Sequence, residues 1–265
     1  MEFLKLVRRR SFVSEVVYIG LNVIFAVAVT IVMLTTQSIF LAILLVMVSK
    51  WRVLAVRIRY WFANIQANLV DFIVSLSNVF ALSSVVSSNL GDTQKLVFAT
   101  ILTVAYIAWL VIIKPRSSRF FVVMQAAIAL FFGVGILFSI SYAWPVSIVV
   151  LAMWLIGFAT ARHVLSAYDE THLLPLTLVW ATILAEIGWI AYHWTVGYRL
   201  PFTANLYLPQ VAIIALLVGF VAYKAYDSFF HHQKIRTNDV ILPILFTVSI
   251  IVVFVLFFNN LGAVI

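Results

Sequence analysis

The sequence predicts an all-α, polytopic transmembrane helix bundle of about nine spans. Its N-terminus lies inside and its C-terminus outside, and residues 1–265 form one integral membrane domain. Three observations carry this. Hydrophobic residues make up 65% of the chain and charged ones 10%, against about 45–50% and about 25% in soluble domains. The apolar residues fall in runs of about 20, the length that crosses a hydrocarbon core. The basic residues collect in alternate connections between those runs, as the positive-inside rule requires.

Taken in order, the chain opens with a basic stretch over residues 1–12, MEFLKLVRRRSF, followed by an apolar run from Val16 to Thr36. A signal-peptide core is about 7–15 residues long. This run is longer and has no small-residue cleavage site, so it reads as an uncleaved first span. Spans are expected at 14–36, 38–56, 67–88, 95–113, 120–141, 145–162, 173–194, 208–226 and 240–259. Pro145, Pro175, Pro209 and Pro243 fall in the first turns of four of them, where no helical donor is lost. Pro115 and Pro201 fall in connections, so no proline-broken helix is expected.

The second span is the shortest, because its unbroken apolar run is only Ile39–Val48. Charge decides for a full crossing. With nine crossings, the inner segments hold Lys5, Arg8, Arg9, Arg10, Lys50, Arg52, Arg57, Arg59, Lys114, Arg116, Arg119, Arg162, Lys224, Lys234 and Arg236, leaving Lys95 and Arg199 outside. Removing that crossing would place the basic loops 114–119 and 224–236 outside, against the rule. Lys50 and Arg52 are then expected to snorkel to the inner interface. Trp51, Tyr60 and Trp61 fall at the inner boundary and Tyr142, Trp144, Trp194, Tyr198 and Tyr207 at the outer one, the depths that amphipathic rings favour.

The formal charge of +8 therefore sets topology and gives no reason to expect nucleic acid. The basic positions Arg8, Arg9, Arg10, Lys50, Arg52, Arg57 and Arg59 are candidate contacts for anionic lipid on the cytoplasmic side. The composition and the basic inner side point to a plasma membrane. Cysteine is absent, which excludes disulfides, thiolate metal sites and cysteine nucleophiles.

The most organised stretch runs from Lys50 to Asn89. A basic, aromatic elbow over 50–66 leads into a span carrying Asn64, Asn68, Asp71, Ser75 and Asn78. Steps of four, three, four and three place these five on one helix face. Two readings stand. Asp71 pairs with Arg57 or Arg59 and pins the elbow while the amides bond neighbouring helices, or the seam lines a wet path or ion site. The segment SKWRVLAVRIRYWFANIQANLVDF resembles one found in uncharacterised polytopic membrane proteins of small-genome bacteria. AEIGWIAYHW and the basic loop HHQKIRTND are similar to the same group. The resemblance implies a multi-spanning fold and assigns no residue a role.

Glu186 is the deepest acid, and no basic residue lies near it in its own span. Thr182, Glu186, Trp189 and His193 share a face, so a neutral Glu186 handing protons to His193 is one reading and a hydrogen-bonded structural acid is the other. Glu15 and Asp227 lie near inner ends beside basic loops. The inner-loop residues His163, Asp169, Glu170, His172, His231, His232 and Asp239 match no zinc spacing, and neither metal nor cofactor is expected. There is no H-E-x-x-H, P-loop or G-x-S-x-G signature, so an enzyme is disfavoured. Ala129 and Gly133 form a small-xxx-small step, with Gln125 one turn earlier. The leading expectation is a small permease or channel-like protein using Asp71 and Glu186. The rivals are a scaffold or partner subunit, alone or in a homo- or hetero-oligomer, and a lipid-head-group enzyme at the inner interface.

Overall fold

The structure, a computed structural model, describes residues 12–194, 196–199 and 207–258. It is almost entirely helical. In chain order the elements are α1 (Phe12–Thr36), α2 (Ile39–Ser49), the single turn α3 (Trp51–Leu54), a 3-10 turn (Ile58–Tyr60), α4 (Trp61–Val86) and α5 (Asp92–Ala108). A π-helical turn (Trp109–Ile113) prolongs α5. Then come α6 (Arg119–Ile140), α7 (Val146–Ser166), α8 (Leu173–His193), α9 (Gln210–His232) and α10 (Thr237–Phe257). Between α8 and α9, β1 (Gly197–Arg199) and β2 (Tyr207–Pro209) pair antiparallel, Tyr198 opposite Leu208, a small ladder that the apolar patterning did not reveal. Among the described residues, eight helices are long and apolar enough to cross a membrane.

The expected helix over 38–56 is not continuous. Ser38 caps α2 by accepting from the Leu41 amide, and the helix stops at Lys50 after 11 residues, about 16 Å at 1.5 Å per residue. That is half of a hydrocarbon core of about 30 Å. The remainder descends as α3 and the 3-10 turn, and α4 side chains supply the hydrogen bonds the break exposes. The Asn64 amide donates to the Val53 carbonyl at 2.7 Å and the Trp61 indole to the Val56 carbonyl at 2.9 Å. Asn64 and Trp61 thus stitch the elbow to the helix that follows it, and α4 begins six residues earlier than the apolar run predicts.

Cross-links between helices fix their directions. Tyr18 donates to the Leu110 carbonyl, and the Thr30 and Thr103 hydroxyls meet at 2.6 Å, so α1 and α5 are antiparallel. The Tyr106 hydroxyl donates to Ser75 at 2.9 Å and the Trp109 indole to Asp71 at 3.3 Å, so α4 and α5 are antiparallel as well. The end of α1 and the start of α4 therefore lie at opposite ends of the bundle. Residues 37–60 run from one to the other as a broken pass.

The core lies around α4. On one side Val79 and Leu82 pack with Val29, Met33, Ala42, Val46 and Ala99 from α1, α2 and α5. Val70 and Val74 pack with Tyr106, Trp109, Ala129 and Ala159, tying in α6 and α7. A third cluster fills the space among α6, α7, α8 and α9 around Leu130, Met153 and Leu184. The expected small-residue contact is present: a methyl on Gly133 would stand 2.8 Å from Ile73 of α4. At Gly157 backbone itself comes close, between α7 and α8, where a methyl would stand 2.9 Å from the Ala181 Cα. α10 begins at Thr237, so Pro243 falls in its second turn and not in the first, as expected. α9 runs on through His231 and His232 and ends on Gln233 in the left-handed region, φ 54°.

Candidate functional site

The polar seam of α4 faces the interior and converges on Asp71. One carboxylate oxygen, Oδ2, accepts from the Lys50 ammonium and, at 2.8 Å, from the Lys114 ammonium. The other, Oδ1, accepts from the Trp109 indole at 3.3 Å. The Lys50 and Asp71 side chains are 6% and 10% exposed, while Lys114 is 35% exposed. Two ammonium groups facing one carboxylate leave the cluster with one net positive charge. Lys50 also stands 5.4 Å over the Phe72 ring.

Each partner comes from a place where regular helix fails. Lys50 sits at the break between α2 and α3. Trp109 opens the π turn and Lys114 closes it, the Lys114 amide bonding back to the Trp109 carbonyl. Such π turns are rare and concentrate at functional sites. Above Asp71, Ser75 donates to the Asp71 carbonyl at 2.7 Å and accepts from Tyr106. Asn78, 2% exposed, ends the column with its side-chain nitrogen unpartnered. Toward the other end, Asn68 donates to the Asn64 carbonyl. The five residues Asn64, Asn68, Asp71, Ser75 and Asn78 thus do share one inward face.

The expected pairing of Asp71 with Arg57 or Arg59 is not found. Both arginines are exposed, and Arg59 stacks on Tyr60 at 4.6 Å. Lys50 does not snorkel to an interface, because the buried carboxylate holds it inside. Arg8, Arg9, Arg10 and the side chain of Arg52 lie outside the described residues. Glu186 and His193 are exposed on α8 and face away from the bundle, together with Thr182 and Trp189. They do not join the Asp71 seam, because α8 turns Ala181, Leu184, Ala185 and Gly188 toward α7 instead.

A second polar group gathers at the end of the bundle where α6 begins. Gln125 donates to the Ile113 and Arg116 carbonyls at 2.8 and 2.9 Å, and its side-chain oxygen accepts from the His163 ring at 2.7 Å. It thereby satisfies the carbonyls of the α5–α6 turn. The Arg119 guanidinium lies 4.9 Å over both Tyr168 and Phe230. Tyr168 donates to Asp227 and Tyr226 to Glu170. Burial, then the bond to Asp227, pushes the Tyr168 hydroxyl well above the usual tyrosine range. Among the described residues no three His, Asp or Glu side chains form a metal-ligand set.

An apolar crevice of about 610 Å³ opens among α6, α7, α8, α9 and α10, lined by Leu130, Leu165, Val179, Trp180, Phe220 and Tyr226 among others. Neither it nor the two lysines on Asp71 was anticipated. A lysine inside the elbow and another closing an apolar run were the available signals, and both read first as topology markers. Comparison with protein-family models, curated proteins and solved structures gives no match.

Proposed function

We propose that the chain is a nine-crossing protein of a bacterial plasma membrane, of the permease class, in which Asp71 is a charge switch between Lys50 and Lys114. Eight long helices and the broken pass over 37–60 supply the crossings. The basic connections 114–119 and 233–236 support placing the N-terminus in the cytoplasm, where Arg57, Arg59 and Arg116 meet anionic lipid. A reporter active only in the cytoplasm should be silent when fused to the C-terminus, and strong activity would refute the orientation.

The observation that carries the permease reading is the buried Lys50–Asp71–Lys114 cluster at a helix break and a π turn. Charges inside a bilayer are costly and mark ion or substrate pathways. Broken helices set the binding sites of many transporters. Protonation of Asp71, or an anion drawn to the partly exposed Lys114, would release one lysine and let the elbow move relative to α4. The test is current on a solid-supported membrane carrying the reconstituted protein, under jumps of proton, chloride and phosphate concentration. A current that Asp71→Asn abolishes is expected. Silence toward the whole panel, or full current from the Asn variant, refutes the reading.

The crevice favours a second reading, in which the cargo is an amphiphile whose tail lies against Leu130, Trp180 and Phe220. An apolar lining on this scale suits a hydrocarbon chain. Native mass spectrometry after detergent exchange should then show a retained lipid that Gly219→Phe displaces.

A further inference from the structure

Glu186 lies 13 residues beyond Leu173 and seven before His193, about 20 Å and about 10 Å from the two ends of α8. That places an exposed carboxyl well within the hydrocarbon, on a face shared with Val179, Ile183 and Ile190. Among the described residues nothing in its own chain pairs with it. One turn further along the same face stands Trp189, 55% exposed. Its ring meets His193 edge-on at 5.1 Å, and its indole N–H likewise has no acceptor among the described residues. The face therefore carries an unmet acceptor and an unmet donor three residues apart, in a medium that offers neither water nor ions to satisfy them.

We infer that the outward face of α8 is the contact at which two copies of this chain pair side by side, Glu186 of each copy accepting from the Trp189 indole of the other. In a two-fold pair about an axis along the membrane normal, the two α8 helices run parallel and the same patch meets itself. Residues one turn apart on one helix then face each other across the contact, so both bonds form at once and reciprocally. A different protein would satisfy the acid with a cation or donor of its own and would leave no reason for Trp189 to stand where it does. The inference goes beyond the reading of Asp71 and does not depend on it.

The absence of cysteine allows a direct test. Single-cysteine variants Val179→Cys and Ile190→Cys on α8, and Leu245→Cys and Val252→Cys on the exposed face of α10, are oxidised in native membranes with copper phenanthroline. Disulfide-linked dimers are expected from the α8 variants and not from the α10 variants. In the Ile190→Cys background, Glu186→Leu and Trp189→Phe should each cut the dimer yield at least tenfold, while Glu186→Gln, whose carbonyl still accepts from the indole, should keep it. A monodisperse elution profile for each variant shows that it is folded. Equal cross-linking from α10, adducts with other proteins in place of dimers, or full yield from both Glu186→Leu and Trp189→Phe would overturn the inference.

Discussion

Asp71→Asn changes one atom type and leaves the buried Lys50 ammonium without its counter-charge. Lys50 and Asp71 are 6% and 10% exposed, so water screens the change little. Removing one member of a buried ion pair costs about 3–5 kcal/mol. The single asparagine oxygen still accepts from Lys50, with the amide nitrogen turned toward Trp109, which returns about 1 kcal/mol, so the expected loss is about 2–4 kcal/mol. Lys50→Met leaves the carboxylate with Lys114 and Trp109 and should cost about 1–2 kcal/mol. Lys114→Met should cost about 0–1 kcal/mol, because at 35% exposure its ammonium is screened by solvent. The double variant Lys50→Met/Asp71→Asn should be more stable than Asp71→Asn alone, since no unpaired buried lysine remains. The assay is reversible unfolding in mixed micelles as the fraction of SDS rises, followed by tryptophan emission. Additive losses in the double variant, or a Lys50→Met loss as large as that of Asp71→Asn, would refute the account of the cluster.

Three further outcomes are expected. Gly157→Ala places a methyl 2.9 Å from the Ala181 Cα, a backbone atom that cannot rotate away, so it should cost about 1–3 kcal/mol in the same assay, more than Gly133→Ala, which meets only the Ile73 and Ile156 side chains. Gln125→Leu strands the Arg116 carbonyl, leaves that of Ile113 with the Arg116 amide alone and should cost about 1–3 kcal/mol. Glu170 is held below its ordinary value of 4.5 by the Tyr226 hydroxyl and then by the His172 amide. The stability it adds is therefore present above that value and lost as pH falls beneath it, and Glu170→Gln should flatten that part of a stability profile against pH.

The long helices were legible because hydrocarbon thickness and apolar run length are the same quantity read in two ways. The inward face of α4 was legible too, since steps of three and four locate a stripe whatever it contacts. Its partners were not. Lys50 and Lys114 lie 21 and 43 residues from Asp71, and only the antiparallel packing of α4 and α5 and the descent of the elbow bring them together. Arg57 and Arg59 were nearer in sequence, but proximity along the chain does not bury a side chain. Glu186 shows the opposite failure. Its spacing defined a face correctly, yet periodicity cannot say whether a face looks inward or outward when both sides are apolar. The break at Lys50 left no proline to mark it.

The π turn at the end of α5 governs angular phase. Tyr106, which holds Ser75, and Lys114, which holds Asp71, are eight residues apart. At about 100° per residue an unbroken α-helix would rotate them about 80° out of line. A wider turn over Trp109–Ile113 advances each residue by less, roughly 82°, and brings the sum close to two full revolutions. One surplus residue thus acts as a vernier that aims two distant groups at a single stripe of α4. The site depends on how many residues lie between Tyr106 and Lys114 as much as on which residues they are. Gaining one more, however inert its side chain, would turn the lysine about 90° away from the carboxylate, whereas losing one would relax the turn to seven α-helical steps of about 100° and keep the lysine within about 20° of the same stripe.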